Sequence, residues 1–370
     1  MAMKIGFNGQ ALQDRQMRGL ERYTVGLLRA LSECDDIELT LFCSEEPWSG
    51  HMKGVRAKVV TFSAPREFIW YDWVLPRMIR REGVSLFHAP ADRGLPLLKP
   101  CPMVVTVHES YERTHWRALH PTVKGKLWYW KYELVNYWLS DAVVTVSDTT
   151  RDTLIRLRVV PEHKIHRIYS APSADFHPGS SSEDEAVLQR YQIAQPYILY
   201  VGGYDRRKNV DLLVRAFNRA NLPDHLLVIA AAHQWEYPVL IDKWRALACF
   251  PRLRLVEVAT DEVPALFRKA EIFVNPSVWE SFSFQLVEAM ACGTPILASN
   301  RTAIPEIAGD AAILFDPEDV VALAGLIEKV AGDEDLRSEL RAKCLQRVTA
   351  FSWAKTAAET VSLYQKVLSR

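Results

Sequence analysis

The chain has 370 residues, 49% of them hydrophobic and 24% charged, so it is long enough for two domains that each bury a full core. Lys plus Arg (45) equals Asp plus Glu (45), and this balance gives no indication of a nucleic-acid partner. Six scattered cysteines without Cys-x-x-Cys spacing argue against a zinc site and for reduced thiols in the cytoplasm.

The N-terminus, Met1–Asn8, turns polar within a few residues, which is too soon for a secretory signal. No apolar run approaches the ~20 residues of a membrane span. We therefore expect a cytoplasmic protein that is soluble or peripheral at the inner face of the membrane.

Short apolar runs alternate with helix-like segments in the first half of the chain, which is the pattern of a parallel α/β sheet. The predicted strands are Lys4–Asn8, Ile37–Cys43, Val55–Ser63, Ser85–Ala89, Met103–His108, Ala142–Ser147 and His166–Ser170. Between the first two strands, Gly19 opens a helix directly after a loop, a position that suits close approach of the backbone to a ligand phosphate or sugar. A role in packing alone would explain the same glycine.

His108 stands at the end of a predicted strand. Parallel α/β folds bind ligands in the crevice beyond the carboxyl edge of the sheet, so this histidine is a candidate site residue. Asp92 and Arg93 follow the strand before it and would face the same crevice. The alternative is a histidine satisfied in the core, and the rest of the pattern favours a functional role.

Residues 116 to 138 are rich in aromatic and basic side chains, namely Trp116, Lys124, Lys126, Trp128, Tyr129, Trp130, Lys131, Tyr132, Tyr137 and Trp138. A basic, aromatic helix could dock on anionic lipid, so contact with a membrane surface is one hypothesis. Core packing with a solvated face is the more common use of such a stripe.

The composition becomes small, polar and acidic over residues 171–185, which suits a linker. We predict an N-terminal domain over residues 1–175, a linker over 176–195 and a C-terminal domain over 196–352. The predicted strands of the second half are Tyr197–Val201, His225–Ala231, Leu253–Val258, Glu271–Asn275, Ile296–Ser299 and Ala312–Phe315.

The first strand of the second half runs into Gly202-Gly203-Tyr204-Asp205-Arg206-Arg207-Lys208-Asn209, ahead of a predicted helix over Val210–Ala220. Two glycines allow close approach of backbone N–H groups, and the adjacent cations neutralise charge, so this turn is typical of a phosphate site. A solvated cluster of charges would explain the cations but not the glycines.

A second strand-to-helix turn follows the predicted strand Glu271–Asn275. It carries Glu280, and Glu288 lies on the second turn of the helix. Ser281 and Ser283 are both good helix N-caps. A helix N-terminus favours a phosphate, and two carboxylates could each accept hydrogen bonds from paired sugar hydroxyls. On their own, the two glutamates could equally belong to a solvated face.

Further along, Asp316-Pro317-Glu318-Asp319 predicts a helix start with proline at the first helical position. A closing helix is predicted from Trp353 to about Leu368.

The stretch Trp279–Ser283 together with Val287–Pro295 resembles the signature of family 4 glycosyltransferases, a retaining family with a Glu-x7-Glu motif. Gly19-Leu20-Glu21-Arg22-Tyr23 is similar to the Gly-rich first loop of that family. Gly202–Asn209 is similar to its Val-Gly-x-x-x-x-Arg-Lys-Asn stretch, and His108-Glu109 to its His-Asp motif.

This resemblance covers nearly the whole chain and implies a fold and an activity. The fold is the GT-B architecture, an α/β fold with two Rossmann-like domains, a ligand cleft between them and a C-terminal helix, residues 353–370, that crosses back to the N-terminal domain. The activity is retaining, metal-independent transfer of a hexosyl unit from a UDP- or GDP-sugar to a hydroxyl of a glycan, a lipid-linked sugar or a small molecule.

The resemblance also implies roles for individual residues. His108 and Glu280 would be catalytic, with His108 placing the donor sugar near the bond that breaks and Glu280 binding its hydroxyls. Glu288 would bind the ribose. The donor diphosphate would be bound by Gly19, Gly203, Arg207, Lys208, Phe282, Ser283 and Phe284. Because protein cations can neutralise the diphosphate, no metal ion or other cofactor is expected.

The chain departs from the family pattern in both strand-to-helix turns. Ser281 and Ser283 stand where glycines are common, and a serine still offers its backbone N–H. Gly203 stands where many members carry Arg, so the diphosphate charge would fall on Lys208 with either Arg206 or Arg207.

Two other functions share this fold. Sugar-nucleotide 2-epimerases need acid and base residues, and their motifs differ from the one around Glu280 and Glu288. A non-catalytic GT-B-like binding protein would not need convergent polar groups such as His108 and Lys208.

Overall fold

The structure, a computed structural model, describes residues 2–15, 17–64, 66–92, 94–108, 122–123, 126–127, 130, 135–231 and 237–370. The chain divides into two compact units. Unit 1 comprises Met1–Ala171 and Phe351–Arg370, and unit 2 comprises Pro172–Ala350. In the residues described, each unit is built on one parallel β-sheet, which confirms the predicted α/β class.

The sheet of unit 1 contains seven parallel strands among the described residues. They are β1 (Met3–Asn8), β2 (Ile37–Cys43), β3 (Lys58–Thr61), β4 (Leu86–Ala89), β5 (Met103–Val107), β6 (Ala142–Thr145) and β7 (Ile165–Arg167). Their order in space is β3-β2-β1-β4-β5-β6-β7. The order reverses between β1 and β4, and open α/β sheets bind ligands beyond the carboxyl ends of strands at such a reversal.

The helices described in unit 1 are Gly19–Ser32, Ser49–Met52, Glu67–Ile69, Leu75–Arg81, Val135–Leu139, Asp148–Arg156 and Trp353–Leu368. A π-helical turn covers Trp70–Val74, and 3-10 turns cover Gln10–Leu12 and Glu162–Lys164. Serine hydroxyls begin two of these helices: Ser147 accepts from the N–H of Thr150 at 3.1 Å, and Ser352 from that of Lys355 at 3.2 Å. Each hydroxyl satisfies a first-turn amide that has no partner inside its helix.

The C-terminal helix, Trp353–Leu368, packs against the first helix, Gly19–Ser32. Thr356 anchors its first turn by donating a hydrogen bond of 2.7 Å to the carbonyl of Tyr169. The contact depends on Gly26, because a Cβ atom there would lie 2.2 Å from the indole ring of Trp353. The end of the chain therefore belongs to the same unit as its first strands, as the predicted architecture requires.

We expect Gly26→Ala to destabilise the protein by about 1–3 kcal/mol, because the added methyl group overpacks the contact with Trp353. Urea unfolding followed by tryptophan fluorescence measures the change. Gly325→Ala is the matched control, since Gly325 lies in the helix Val320–Gly332 with no described atom within 4 Å of its Cβ position. The control should be neutral or more stable by up to about 1 kcal/mol. Equal unfolding midpoints for the two variants would contradict the prediction.

The sheet of unit 2 contains six parallel strands within its described residues. They are β8 (Tyr197–Val201), β9 (Leu226–Ala230), β10 (Leu253–Val256), β11 (Ile272–Asn275), β12 (Ile296–Ser299) and β13 (Ala312–Phe315). Their order is β10-β9-β8-β11-β12-β13, so the reversal lies between β8 and β11. Both of the strand-to-helix turns predicted to bind phosphate follow these two strands.

The helices described in unit 2 are Asp184–Arg190, Val210–Arg219, Tyr237–Trp244, Val263–Lys269, Phe284–Cys292, Ile304–Ala308, Val320–Gly332 and Glu334–Val348. Two 3-10 turns cover Arg206–Lys208 and Phe250–Arg252. The apolar faces of these helices bury large side chains such as Phe217 and Trp244 in one core with the strands.

The helix Asp184–Arg190 lies inside the stretch 176–195 that the sequence predicts as a linker. It packs against the helix Val263–Lys269 within unit 2. There, Arg268 Nε donates a hydrogen bond of 2.9 Å to the fully buried carboxylate of Asp184. The polar composition of this stretch thus includes half of a buried ion pair, whose other half lies 84 positions away.

The helix predicted to begin at Pro317 begins later, at Val320. Asp319 is its N-cap, and the carboxylate accepts hydrogen bonds from the N–H groups of Val321 at 3.0 Å and Ala322 at 2.9 Å. The prediction of proline at the first helical position is therefore wrong, because Asp319, and not Asp316, accepts hydrogen bonds from the first-turn N–H groups of the helix.

Candidate functional site

The polar residues predicted in unit 2 lie in two loops that follow neighbouring strands. Lys208 follows β8 and Glu280 follows β11, and β8 pairs with β11. Lys208 Nζ donates a hydrogen bond of 2.7 Å to Glu280 Oε1, and Ser277 Oγ donates one of 2.8 Å to the same oxygen. The Lys208 and Glu280 side chains are only 13% and 8% exposed, so they form a buried ion pair at the carboxyl edge of the sheet.

Glu280 is an anion at neutral pH. Burial by itself raises the pKa of its carboxyl group, but the charges of Lys208 and Arg207 and the hydrogen bonds from Lys208 and Ser277 outweigh burial, and the pKa lies below its usual 4.5. An ionised carboxylate only accepts hydrogen bonds, and an ammonium group has three N–H donors. The pair therefore offers an acceptor suited to hydroxyl groups beside a donor suited to phosphate oxygens.

Hydrogen bonds join the two loops that carry this pair. The N–H of Val278 donates to the carbonyl of Arg207 at 2.8 Å, and Asn209 Nδ2 donates to the carbonyl of Pro276 at 3.2 Å. Asn209 adopts a left-handed conformation with φ of 54°, which asparagine tolerates better than most residues. The loops consequently hold Lys208 and Glu280 in a fixed geometry.

Gly203, Arg206 and Arg207, which also lie in the loop after β8, differ in their burial and in their partners. Arg207 is partly buried, lies close enough to Glu280 to lower its pKa, and pairs with Asp205 through Nε at 3.1 Å. Arg206 is exposed. The carbonyl of Gly203 accepts a hydrogen bond of 2.5 Å from the hydroxyl of Tyr200, which fixes the turn of the chain after β8.

Ser283 precedes the helix Phe284–Cys292 with φ of 71° and ψ of 86°. Its side chain does not cap the helix as predicted, because its hydroxyl instead accepts a hydrogen bond of 2.8 Å from Asn275 Nδ2. A positive φ costs little for glycine and more for serine. First-turn amides that Ser283 does not cap are suited to bind an anion.

Neither predicted glutamate belongs to a solvated face. Glu288 lies in the helix Phe284–Cys292 and is 1% exposed, and Glu280 is 6% exposed. At the start of the helix, the rings of Phe282 and Phe284 form a T-shaped contact with their centroids 5.4 Å apart. Phe282, Ser283 and Phe284 therefore form one compact turn.

The structure adds two residues that sequence analysis missed. Ser277 bonds the catalytic candidate Glu280 directly, and Thr302 Oγ1 accepts a hydrogen bond of 2.9 Å from the N–H of Glu280. Ser277 was detectable as a hydroxyl three positions before the acid in a tight turn. Thr302 follows β12, and its contact with Glu280 depends on β11 and β12 being neighbours, which the sequence does not show.

In unit 1, His108 follows β5 and is held by the loop after β4. Its backbone N–H donates to both carboxylate oxygens of Asp92 at 3.2 Å, which brings the predicted pair together. Its Nε2 lies 2.8 Å from the carbonyl of Pro90. Because a carbonyl oxygen only accepts, Nε2 carries the proton and Nδ1 of the neutral ring is an acceptor.

The His108 ring is neutral near pH 7. Burial lowers the pKa of the imidazole, and the opposing effects of Asp92 and the Pro90 carbonyl are smaller. A neutral ring with an acceptor nitrogen can take a hydrogen bond from a hydroxyl group of a ligand.

Gly19 is the exposed first residue of the helix Gly19–Ser32. Glu21, in the first turn, accepts a hydrogen bond of 2.9 Å from the N–H of Arg18 and so fixes how the chain enters the helix. One turn after Gly19, the ring of Tyr23 contacts His108 with ring centroids 4.5 Å apart.

Several sequence predictions fall on residues outside those described. Among the candidate site residues these are Arg93 and Glu109. In the aromatic segment they are Trp116, Lys124, Trp128, Tyr129, Lys131 and Tyr132. Within that segment, Trp130 is 57% exposed and Trp138 72% exposed, whereas Tyr137 is fully buried.

Among the residues that the structure describes, no group of three or more His, Cys, Asp or Glu side chains is placed to hold a metal ion. In the same residues, no helix has the length and apolar character needed to cross a membrane.

Two family models match the chain. The model described as "Glycosyltransferase Family 4" matches residues 17–171, and the model described as "Glycosyl transferases group 1" matches residues 188–347. The two matches correspond to units 1 and 2 in turn.

The chain is also similar to curated and solved proteins. It is 35% identical over 231 residues to O-antigen chain mannosyltransferase B of Escherichia coli, a match that covers 60% of each chain. It is 28% identical over 253 residues to the serotype-specific mannosyltransferase WbdA of Escherichia coli, covering 64% of this chain and 30% of WbdA. The chain thus spans less than two thirds of these relatives. The structure of Alr3699/HepE from Anabaena, in complex with UDP and glucose, matches with a TM-score of 0.78 at 15% identity over 98% of this chain and 99% of that one.

Proposed function

The chain belongs to glycosyltransferase family 4 and has the GT-B fold, and from this premise we propose that it transfers a hexosyl unit from a nucleoside-diphosphate sugar to a hydroxyl of a carbohydrate acceptor. One observation carries the proposal, namely the buried pair of Lys208 and Glu280 between two strand-to-helix turns. A buried cation beside a buried acceptor, next to helix amides, suits a diphosphate joined to a sugar.

We assign the diphosphate of the donor to unit 2. Lys208 and Arg207 would neutralise its charge, while the amides of the turn at Phe282–Phe284 would donate to its oxygens. Of the two arginines left open by sequence, Arg207 is supported by its electrostatic effect on Glu280, whereas Arg206 is exposed. The roles of Gly19 and Gly203 stay predictions.

The acidic residues suit the two sugars of the donor. Glu280 accepts hydrogen bonds from hydroxyls of the transferred sugar, and the buried Glu288 from the ribose. In unit 1, the Nδ1 atom of His108 accepts from a sugar hydroxyl, because Nε2 already donates to Pro90.

The chemistry follows from charge. As the bond between the sugar and the diphosphate breaks, positive charge develops at the anomeric carbon and negative charge on the departing phosphate. Preorganised cations and amides stabilise that leaving group without reorganising, and this is the main catalytic contribution of Lys208 and Arg207. These cations are also why we expect no metal ion to be needed. Retention of anomeric configuration is proposed from the family alone.

The relatives guide the choice of donor. Both Escherichia coli relatives are named mannosyltransferases, and the Anabaena structure contains UDP and glucose. GDP-mannose and UDP-glucose are therefore the first donors to test. Glycans, lipid-linked sugars and small molecules all stay open as acceptors.

We expect one nucleotide class to stabilise the protein in a thermal-shift panel of UDP, GDP, UDP-glucose, UDP-GlcNAc and GDP-mannose. A ligand at about 100 times its dissociation constant adds about 2.7 kcal/mol to the free energy of unfolding. The stabilising donor is then supplied with candidate acceptors, and release of the nucleoside diphosphate is measured. A panel without any stabilising nucleotide would contradict the proposal, and conversion of UDP-GlcNAc alone to its 2-epimer would support an epimerase instead.

We keep the prediction of a cytoplasmic protein, either soluble or peripheral at the inner face of the membrane, as part of this proposal. The exposed indoles of Trp130 and Trp138 support contact of unit 1 with a membrane surface, because tryptophan favours the interface between lipid and water.

A further inference from the structure

Four buried polar side chains form a hydrogen-bonded chain through unit 1. Tyr364, on the C-terminal helix, has its hydroxyl 2.6 Å from His88 Nδ1. His88 Nε2 lies 2.8 Å from Thr106 Oγ1, and that oxygen lies 3.1 Å from the hydroxyl of Tyr23 on the first helix. All four residues are 0% exposed. Breaking any link would leave a polar group unsatisfied and out of reach of water, so the chain fixes the groups at its ends.

The His88 ring joins the two halves of this chain in its neutral form. Burial lowers the pKa of His88 to about 3, so the ring carries no charge near pH 7. A neutral imidazole has one N–H and one lone pair, and His88 therefore donates to one hydroxyl and accepts from the other. The two bonds of His88 therefore run in one direction, either from Tyr364 towards Thr106 or the reverse, and both directions satisfy the two ring nitrogens; between Thr106 and Tyr23, either hydroxyl can be the donor.

Tyr23 lies between two other aromatic rings. Its centroid is 4.5 Å from that of His108 in a T-shaped contact with an interplanar angle of 74°. On the C-terminal helix, the ring of Trp353 lies 6.2 Å away at 58°. Thr106 holds the Tyr23 hydroxyl and Trp353 packs near its ring, so the Tyr23 ring cannot turn without breaking a buried contact.

The His108 ring needs a neighbour of this kind. Its Nε2–H donates to the carbonyl of Pro90. This one hydrogen bond still allows the ring to tilt by rotation about its Cβ–Cγ bond. The edge-to-face contact with Tyr23 opposes this tilt. The direction of the Nδ1 lone pair of His108 is then set by the position of Tyr23.

We propose that Tyr23 is a positioning residue for His108, and that Thr106, His88 and Tyr364 hold Tyr23 in place. This inference rests on the proposed function, in which Nδ1 of His108 accepts a hydrogen bond from a sugar hydroxyl.

The C-terminal helix is part of this arrangement. It supplies Trp353, whose ring packs near that of Tyr23, and Tyr364, whose hydroxyl bonds His88 at the far end of the hydrogen-bonded chain. Docking of that helix therefore completes the support of His108 within unit 1. A displacement of about 1 Å at a reacting group costs on the order of 100-fold in rate.

The first measurement does not need any activity. Long-range 1H–15N correlation spectra of the 15N-labelled full chain report the tautomer of each histidine, and His108→Gln assigns the His108 signals. The wild type should show His108 as the neutral Nε2–H tautomer near pH 7. Tyr23→Phe, which keeps the ring and loses its anchor, should shift the His108 signals. Tyr23→Leu should mix the tautomers and raise the pKa of His108 towards its usual 6.5 as water gains access.

Among the described residues of this cluster, the other ionisable groups are Asp92, His88 and Tyr364. Asp92 raises the pKa of His108, His88 is neutral, and burial raises the pKa of the Tyr364 hydroxyl, which is neutral as well. None of the three is changed by the substitutions, so a shift in the His108 titration reports the loss of Tyr23.

The second measurement is kinetic and uses a matched control. Tyr197 in unit 2 is a buried tyrosine whose hydroxyl donates to the carbonyl of Leu266 at 2.7 Å, so Tyr197→Phe loses a comparable hydrogen bond. We expect kcat to fall about 10- to 100-fold in Tyr23→Leu, less in Tyr23→Phe, and not at all in Tyr197→Phe. Urea unfolding of all three variants establishes that each one folds.

The two measurements separate the possible outcomes. Folded Tyr23 variants with wild-type His108 signals would overturn the positioning role, because a merely structural tyrosine changes stability alone. If the signals change but the wild type transfers no sugar from any donor, the proposed function fails while the positioning of His108 stands.

Discussion

Glu280→Gln should lower kcat for sugar transfer about 100- to 1,000-fold, which is the typical cost of losing one preorganised electrostatic group at a reacting centre. The amide keeps the shape of the side chain but loses its charge and replaces one acceptor by a donor. It would also leave Lys208 without its buried counter-ion, 2.7 Å away in the native protein. Steady-state release of the nucleoside diphosphate, with the donor found by thermal shift, measures the effect.

Glu271→Gln is the control for this substitution. Glu271 also lies in unit 2 and pairs with His225 at 3.0 Å, away from the two loops, so its loss should leave turnover near the wild-type value. Turnover of Glu280→Gln within about twofold of that control would remove Glu280 from the catalytic machinery.

The same variant should differ from the wild type in acid stability. The pKa of Glu280 is lowered in the folded protein, so its ionisation adds stability that is present above its usual pKa of 4.5 and is lost as the pH falls through the lower folded value. Glu280→Gln lacks this contribution. The difference in the free energy of unfolding between the two proteins should therefore shrink as the pH falls below 4.5 towards the lower folded pKa, as followed by urea unfolding at several pH values.

The fold was predictable because its pattern is local. Alternating apolar runs such as those at β1, β8 and β11 identify parallel strands without knowledge of their neighbours. The limits of the short edge strand β3, Lys58–Thr61, were overestimated by the sequence, since apolar residues continue beyond the paired ones. Residue composition was a weaker guide over 176–195, where a buried ion pair stabilises a helix.

The site was predictable in its residues but not in its contacts. Lys208 and Glu280 are 72 positions apart, and their contact depends on β8 and β11 being neighbours although they are not consecutive strands. Tyr364 and His88, which share a hydrogen bond, are 276 positions apart in the sequence. No local pattern encodes such a pair.

Ser283 shows a different limit, because its role depends on a backbone conformation that its neighbours in the sequence do not predict. Its sequence position suggests an N-cap, yet its positive φ turns the hydroxyl towards Asn275. The resemblance contained the signal, because glycine is common at that position in the family and glycine adopts positive φ readily.

Lys208→Met should weaken the binding of the nucleoside diphosphate about 30-fold or more, because it removes a buried cation from the proposed diphosphate site. Isothermal titration of the diphosphate and of the parent nucleoside, which carries no phosphate, separates this effect from a general loss of binding. The nucleoside should bind the variant as it binds the wild type. The variant should also lose stability, by up to about 3–5 kcal/mol, because Glu280 would lose its nearest counter-ion and keep only the charge of Arg207 and the hydrogen bond from Ser277.

That loss of stability calls for two further variants. Lys269→Met is the control for losing a paired lysine from the same unit, since Lys269 pairs with Glu185 at 2.6 Å outside the proposed site. Because the Glu185 side chain is 67% exposed, this variant should lose little stability and bind the diphosphate as the wild type does. The double variant Lys208→Met with Glu280→Gln removes both charges and should be more stable than the sum of the single losses predicts, because neither charge is left buried alone. It should nevertheless remain defective in diphosphate binding. If the double variant regained both stability and wild-type affinity, the ion pair would be structural, and the diphosphate would have to bind elsewhere.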